Sequence, residues 1–128
     1  MSLRSPLGRV LGLGSAKDGA HHWWVQRVSS VALTLLTLWF IASLLALGRL
    51  DYAALYVWIN RPINASLLVL LTVTLVYHSM LGVQVVVEDY VAGKGAKVAS
   101  LLVSQFLHLA IGAVGVFSIL RIAFGSAA

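Results

Sequence analysis

NASLLVLLTVTLVYHSMLGVQVVVEDY, residues Asn64 to Tyr90, is a long apolar run with one histidine, His78, near its middle. It closes on two adjacent polar residues, Asp89 and Tyr90. A helix rises ~1.5 Å per residue and the hydrocarbon core of a bilayer is ~30 Å thick, so the run is long enough to cross a membrane with some tilt. His78 then lies close to the midplane and Asp89-Tyr90 at one face. A charged side chain facing lipid at that depth costs about 2.5 kcal/mol or more, so His78 is expected to face protein or a cofactor.

The rest of the composition agrees with a membrane location. Of the 128 residues, 60% are hydrophobic and 10% charged, whereas ordinary soluble domains are ~45–50% apolar and ~25% charged. There is no cysteine, which removes disulfides, thiolate metal sites and iron–sulfur ligation from this chain and assigns any such chemistry to a partner. The net charge is +5, but the basic residues are scattered at the ends of apolar runs. That pattern does not read as a nucleic-acid surface.

Outward from the central run, residues 1–20 form a mildly basic tail with Arg4, Arg9 and Lys17 and without the continuous apolar core of a signal peptide. Residues 21–128 are read as the membrane domain. Its first span is expected over residues 28–47, with Gly48 as a stop signal. His21, His22, Trp23, Trp24, Gln26 and Arg27 precede it, and tryptophan at a span end is ordinary interface anchoring. The connection from Arg49 to Pro62 is expected to carry a short interfacial helix around Leu55, with Tyr52, Tyr56 and Trp58 as an aromatic belt. The second span is the opening run, residues 64–90. Residues 92–97, AGKGAK, read as a tight polar turn, and the third span is expected over residues 98–124.

Arg4, Arg9, Lys17, Arg27, Lys94 and Lys97 fall on the side of the N-terminus, and Arg49, Arg61 and Arg121 on the other. By the positive-inside rule the N-terminus is cytoplasmic, with Asp89 and Tyr90 at the inner face. The expected fold is an all-α membrane protein of three transmembrane helices, part of a larger helical bundle.

Five groups of residues invite a chemical reading, and each has a plainer one. Gly82 is four residues beyond His78, on the same helical face one turn away, and Asp89 returns to nearly that face. Imidazole is a common haem-iron ligand and a flat macrocycle needs room beside it. Alternatively, Gly82 permits close helix packing and His78 hydrogen-bonds a neighbouring helix. His108 lies at a depth similar to that of His78, which leaves bis-histidine ligation within the chain open. However, Ser104, His108, Gly112 and Gly115 form a small-and-polar stripe of the kind used for helix contacts. Arg27 could pair with carboxylates such as haem propionates or serve as an interfacial arginine. His21 and His22 have the same two readings. Tyr90 could donate a hydrogen bond to a quinone carbonyl with Asp89 orienting it or relaying protons, or the pair could be a belt residue and a solvated helix end.

Two stretches carry a resemblance. The pattern His78-x-x-x-Gly82-x6-Asp89-Tyr90 resembles the signature of the hydrophobic membrane anchor subunit of succinate dehydrogenase, and residues 21–30, HHWWVQRVSS, resemble the opening of the first span in alphaproteobacterial members. The resemblance implies a subunit of succinate:ubiquinone oxidoreductase in the bacterial inner membrane, working in electron transport beside a cytochrome b anchor subunit, an iron–sulfur subunit and a flavoprotein. It implies His78 as one axial ligand of a haem b shared with the cytochrome subunit, which supplies the second ligand. It implies Tyr90, with Asp89 beside it, at the ubiquinone site, and Arg27 with His21 or His22 near the propionates. His108 receives no role from it. Succinate would be oxidised on the flavoprotein, not on this chain. The rival readings are an anchor of fumarate reductase, and a scaffold or small transporter subunit whose histidines are buried contacts.

Overall fold

A computed structural model describes residues 18–125, so most of the expected tail, residues 1–20, lies outside the described residues. Four helices follow one another: α1 (Asp18–Ala46), α2 (Tyr52–Ile59), α3 (Pro62–Tyr90) and α4 (Lys94–Phe124). There is no strand among the described residues. The helices α1, α3 and α4 are each long and apolar enough to cross a membrane.

The helices outrun the apolar stretches. α1 starts at Asp18, well before Val28, because the segment from His21 to Arg27 contains no proline and the backbone winds on through the interface. α4 starts at Lys94, inside the AGKGAK stretch, so the expected turn shrinks to Val91, Ala92 and Gly93. Gly93 takes the N-cap position, its carbonyl accepting from the Lys97 N–H at 2.8 Å. The Lys97 ammonium reaches back to the Glu88 carbonyl, satisfying an acceptor at the end of α3 and tying the two helix ends together. Gly48, with φ of 65°, ends α1 in the left-handed region, where a residue without Cβ carries no steric cost.

α2 is the expected short helix. Asp51 caps it, one carboxylate oxygen accepting from the Ala54 N–H at 2.8 Å. Its aromatic residues do not behave alike. Tyr52 is exposed, as a belt residue should be, and the Tyr56 hydroxyl donates to the Gly125 carbonyl at 3.1 Å beyond the end of α4. Trp58, expected in the belt, is instead only 7% exposed and stacks on Trp39 of α1 at 5.9 Å between ring centroids. Its helix folds back over the bundle end, where an indole gains more by packing than by facing headgroups. The Trp58 carbonyl accepts from the Asn64 side-chain amide at 2.8 Å, which lets a buried asparagine sit in the first turn of α3. Pro62 opens that helix, where its missing N–H leaves nothing unpaired.

α3 is the central element. α1 and α4 each pack along it and, among the described residues, do not approach one another. The bundle is therefore open. No described side chain is completely buried, and Leu35, Leu38 and Leu45 on α1 and Phe106, Leu109 and Phe117 on α4 are exposed. In water such faces would be a liability, but lipid or another apolar helix accepts them.

Candidate functional site

One group of interior polar residues lies where α1 meets α3. His22, Gln26 and Ser29 follow one another at i, i+4 and i+7, which places them on one face of α1. His78 and Gly82, four apart, present the facing surface of α3. The Ser29 hydroxyl lies 3.0 Å from His78 Nδ1, and the Gln26 side-chain nitrogen lies 3.4 Å from His78 Nε2. Ser29 is 7% exposed and His78 is half-buried. His78 therefore faces protein, as its depth required.

The cluster is not satisfied from within. His22 Nε2 and Gln26 Oε1 are both buried and have no hydrogen-bond partner. Leaving a buried polar atom unpaired costs on the order of 1–3 kcal/mol, so two on one helix face are unusual for a finished core. Gly82 adds room. A Cβ built there would meet only the Gln26 amide nitrogen, at 3.8 Å, so close packing does not require a glycine at this position.

The glycines that packing does require lie on α4, against the other face of α3. A Cβ on Gly115 would come within 3.0 Å of Thr72 Cγ2, and one on Gly112 within 3.4 Å of a Val76 methyl. His108 belongs to this seam. Its Nδ1 donates to the Ser104 carbonyl at 2.7 Å, and its Nε2 accepts from the Ser79 hydroxyl at 3.1 Å. Both ring nitrogens are engaged, and the ring stands on the α4 side while His78 turns to α1. The two histidines share a depth, as expected, but not a site.

The family model for the succinate dehydrogenase/fumarate reductase transmembrane subunit matches residues 1–119. The chain belongs to that family. It is 34% identical over 123 residues to the succinate dehydrogenase hydrophobic membrane anchor subunit of Paracoccus denitrificans, covering 95% of this chain and 94% of that one. It is 39% identical over 89 residues to the subunit of the same name from Rickettsia bellii (strain RML369-C), covering 70% of this chain and 71% of that one. It is 28% identical over 106 residues to the succinate dehydrogenase membrane anchor subunit of Reclinomonas americana, covering 80% and 88%. No solved structure matches it significantly.

Within this membrane anchor, the remaining candidates stand apart from the His78 cluster. Arg27 is exposed and its guanidinium lies 5.4 Å from the Trp23 ring centroid, a cation–π contact. His21 is exposed as well, whereas His22 is half-buried on the face shared with Gln26 and Ser29. Asp89 and Tyr90 form the last residues of α3, and Tyr90 is 83% exposed. At ~1.5 Å per residue, Tyr90 sits roughly 18 Å along the helix axis from His78, so these are two separate places. Ser29 and Gln26 are the site residues that sequence reasoning passed over. His22, Gln26 and Ser29 do fall on one face of α1, but Arg27, Ser30, Thr34 and Thr37 make a second polar line on the same helix, so the spacing alone did not single them out.

Proposed function

We propose that this chain anchors succinate:ubiquinone oxidoreductase in the bacterial inner membrane, binds haem b at an interface shared with a second, cytochrome b anchor subunit, and helps form the ubiquinone-reduction site. One observation carries the haem reading. A histidine at mid-span is held from one side by a buried serine, with a small residue one turn away, and the α1 face that meets it carries two orphaned polar atoms, Gln26 Oε1 and, one turn further, His22 Nε2. When bound, haem b would supply one-electron redox chemistry, with the His78 imidazole as a ligand to its iron.

This chain's own contribution is to hold and shape. His78 offers an imidazole at the depth where a macrocycle is shielded from water. His22, whose buried nitrogen lacks a partner, is the better placed of the two adjacent histidines for a polar edge of the group, and the exposed Arg27 is the guanidinium that α1 offers to a carboxylate. The open faces of α1 and α4 receive the cytochrome subunit and lipid. The flavoprotein and iron–sulfur subunits dock on the inner face, where the N-terminus and the α3–α4 turn lie. Tyr90 and Asp89 are at that face, within reach of both a docked electron donor and water. A phenol hydroxyl there donates to a quinone carbonyl as negative charge grows on it, and Asp89 orients the phenol or relays a proton.

The deciding experiment is spectroscopic. A haem absorbance band should follow this chain through purification of the complex. His78→Ala should lower haem content or alter the low-spin spectrum. An unchanged band in that variant would sink the assignment and leave a scaffold with a structural histidine.

A further inference from the structure

We propose that Ser29 is the positioning residue for His78, fixing the imidazole as the Nδ1–H tautomer so that Nε2 keeps its lone pair for iron. The inference rests on the haem reading above and adds to it a residue on a different helix.

Ser29 has a single hydroxyl proton. The Ser29 hydroxyl donates to the Gln26 backbone carbonyl at 3.0 Å. A carbonyl can only accept, so the serine's one proton is committed there. The same oxygen lies 3.0 Å from His78 Nδ1, and in this assignment it accepts there. The proton in that second bond is then on Nδ1. Neutral imidazole carries one N–H, so Nε2 is bare. The contact that Nε2 does make, with the Gln26 side-chain amide at 3.4 Å, is longer than an ordinary N–H hydrogen bond and little is lost in breaking it.

Burial makes the arrangement durable. Ser29 is 7% exposed, and its backbone is locked in the middle of a long helix. The serine is shielded on its own helix, and turning the half-buried ring would break its bond to that fixed hydroxyl. A histidine that ligates a metal generally donates its other ring N–H to a fixed acceptor, which orients the ring and raises its basicity. Here that acceptor is a hydroxyl, and it is polarised by its own bond to the Gln26 carbonyl. Ser30, the neighbouring residue, makes the equivalent intrahelical bond to the Arg27 carbonyl at 2.7 Å but has no histidine to receive. The difference between the two serines is the presence of His78.

The test uses the intact complex carrying Ser29→Ala, Ser29→Thr and His78→Ala in this chain, with haem content, the haem midpoint potential and the low-spin spectrum as readouts. Ser29→Ala should keep a low-spin haem, shift its midpoint in the positive direction as the ligand loses basicity, and weaken haem retention against a competing apoprotein by about 10-fold. Ser29→Thr, whose hydroxyl bonds the same carbonyl, should restore both. Should Ser29→Ala not assemble, Ser29→Cys keeps the volume and weakens the acceptor, and should move the midpoint the same way by less. If His78→Ala changes the haem while these Ser29 variants leave midpoint and retention as in the parent, the positioning role is wrong and the haem reading stands. If His78→Ala itself leaves the haem unchanged, the haem reading falls and the role of Ser29 falls with it.

Discussion

His108 Nε2 lies 3.1 Å from the Ser79 hydroxyl, across the seam between α3 and α4. The contact turns the second mid-membrane histidine away from the cluster around His78, its immediate neighbour being Ser79 rather than His78. An interhelical hydrogen bond of this kind contributes about 0.6 kcal/mol on average within a membrane. His108→Ala is therefore expected to leave the haem spectrum of the complex unchanged and to lower its stability only slightly. Spectra and thermal inactivation of the same preparation check both halves. Loss of haem in His108→Ala would instead place a ligand on α4.

Gly115 of α4 and Gly82 of α3, which lie at opposite faces of α3, should answer differently to the same substitution. In Gly115→Ala the new methyl meets Thr72 Cγ2 at 3.0 Å. Thr72 cannot rotate out of the way cheaply, because its hydroxyl donates to the Leu68 carbonyl at 2.8 Å and fixes the side chain. The helices must separate, at a cost of about 1–3 kcal/mol. In Gly82→Ala the methyl meets only the end of the flexible Gln26 side chain at 3.8 Å. Folding should be unaffected or slightly improved, since alanine favours helix over glycine, while haem content should fall if the space is there for the macrocycle. Unfolding of the purified complex and its haem-to-protein ratio separate the two effects.

Much of this was legible in the sequence because the bilayer leaves few options. Apolar runs of sufficient length had to become helices, as residues 64–90 did, since a spanning chain must satisfy its own backbone. The stripe of Ser104, His108, Gly112 and Gly115 announced a helix contact, and Gly112, Gly115 and His108 meet Val76, Thr72 and Ser79. Trp58 was misread because a tryptophan near a span end has two good uses, and only the path of α2 decides between the belt and the core. Ser29 and Gln26 were missed for a related reason. Short polar side chains on an apolar helix usually bond their own backbone, as Ser30 and Ser66 do, and nothing in a single sequence reveals which of them has a histidine opposite.

The topology makes a prediction independent of any cofactor. Lys94 and Lys97 belong to the same side as the N-terminus, and α4 carries the chain back across. Reporter fusions after Lys97 and after Ala128 should report opposite sides, the first cytoplasmic and the second not. Identical reports would mean that α4 does not cross.

The exposed phenol at the end of α3 allows the quinone reading to be tested apart from assembly. Tyr90 is 83% exposed, so replacing it disturbs little packing within this chain. Two-electron reduction of a quinone consumes protons, which favours a site near the aqueous face where donors are reachable, and the hydroxyl helps most if it bonds the carbonyl as charge develops there. Tyr90→Phe removes that donor and keeps the ring. It is expected to lower quinone reductase turnover by at least ~10-fold, equivalent to ~1.4 kcal/mol. Succinate oxidation by a soluble artificial acceptor should stay nearly intact, because that path bypasses the membrane. Asp89→Asn should act in the same direction and more weakly, since it alters the partner of the donor rather than the donor. Both activities are measured on one purified complex. Quinone reduction at the parent rate in Tyr90→Phe would reduce Tyr90 to a membrane-interface residue. Equal loss of both activities would locate the defect in docking of the soluble subunits onto this face.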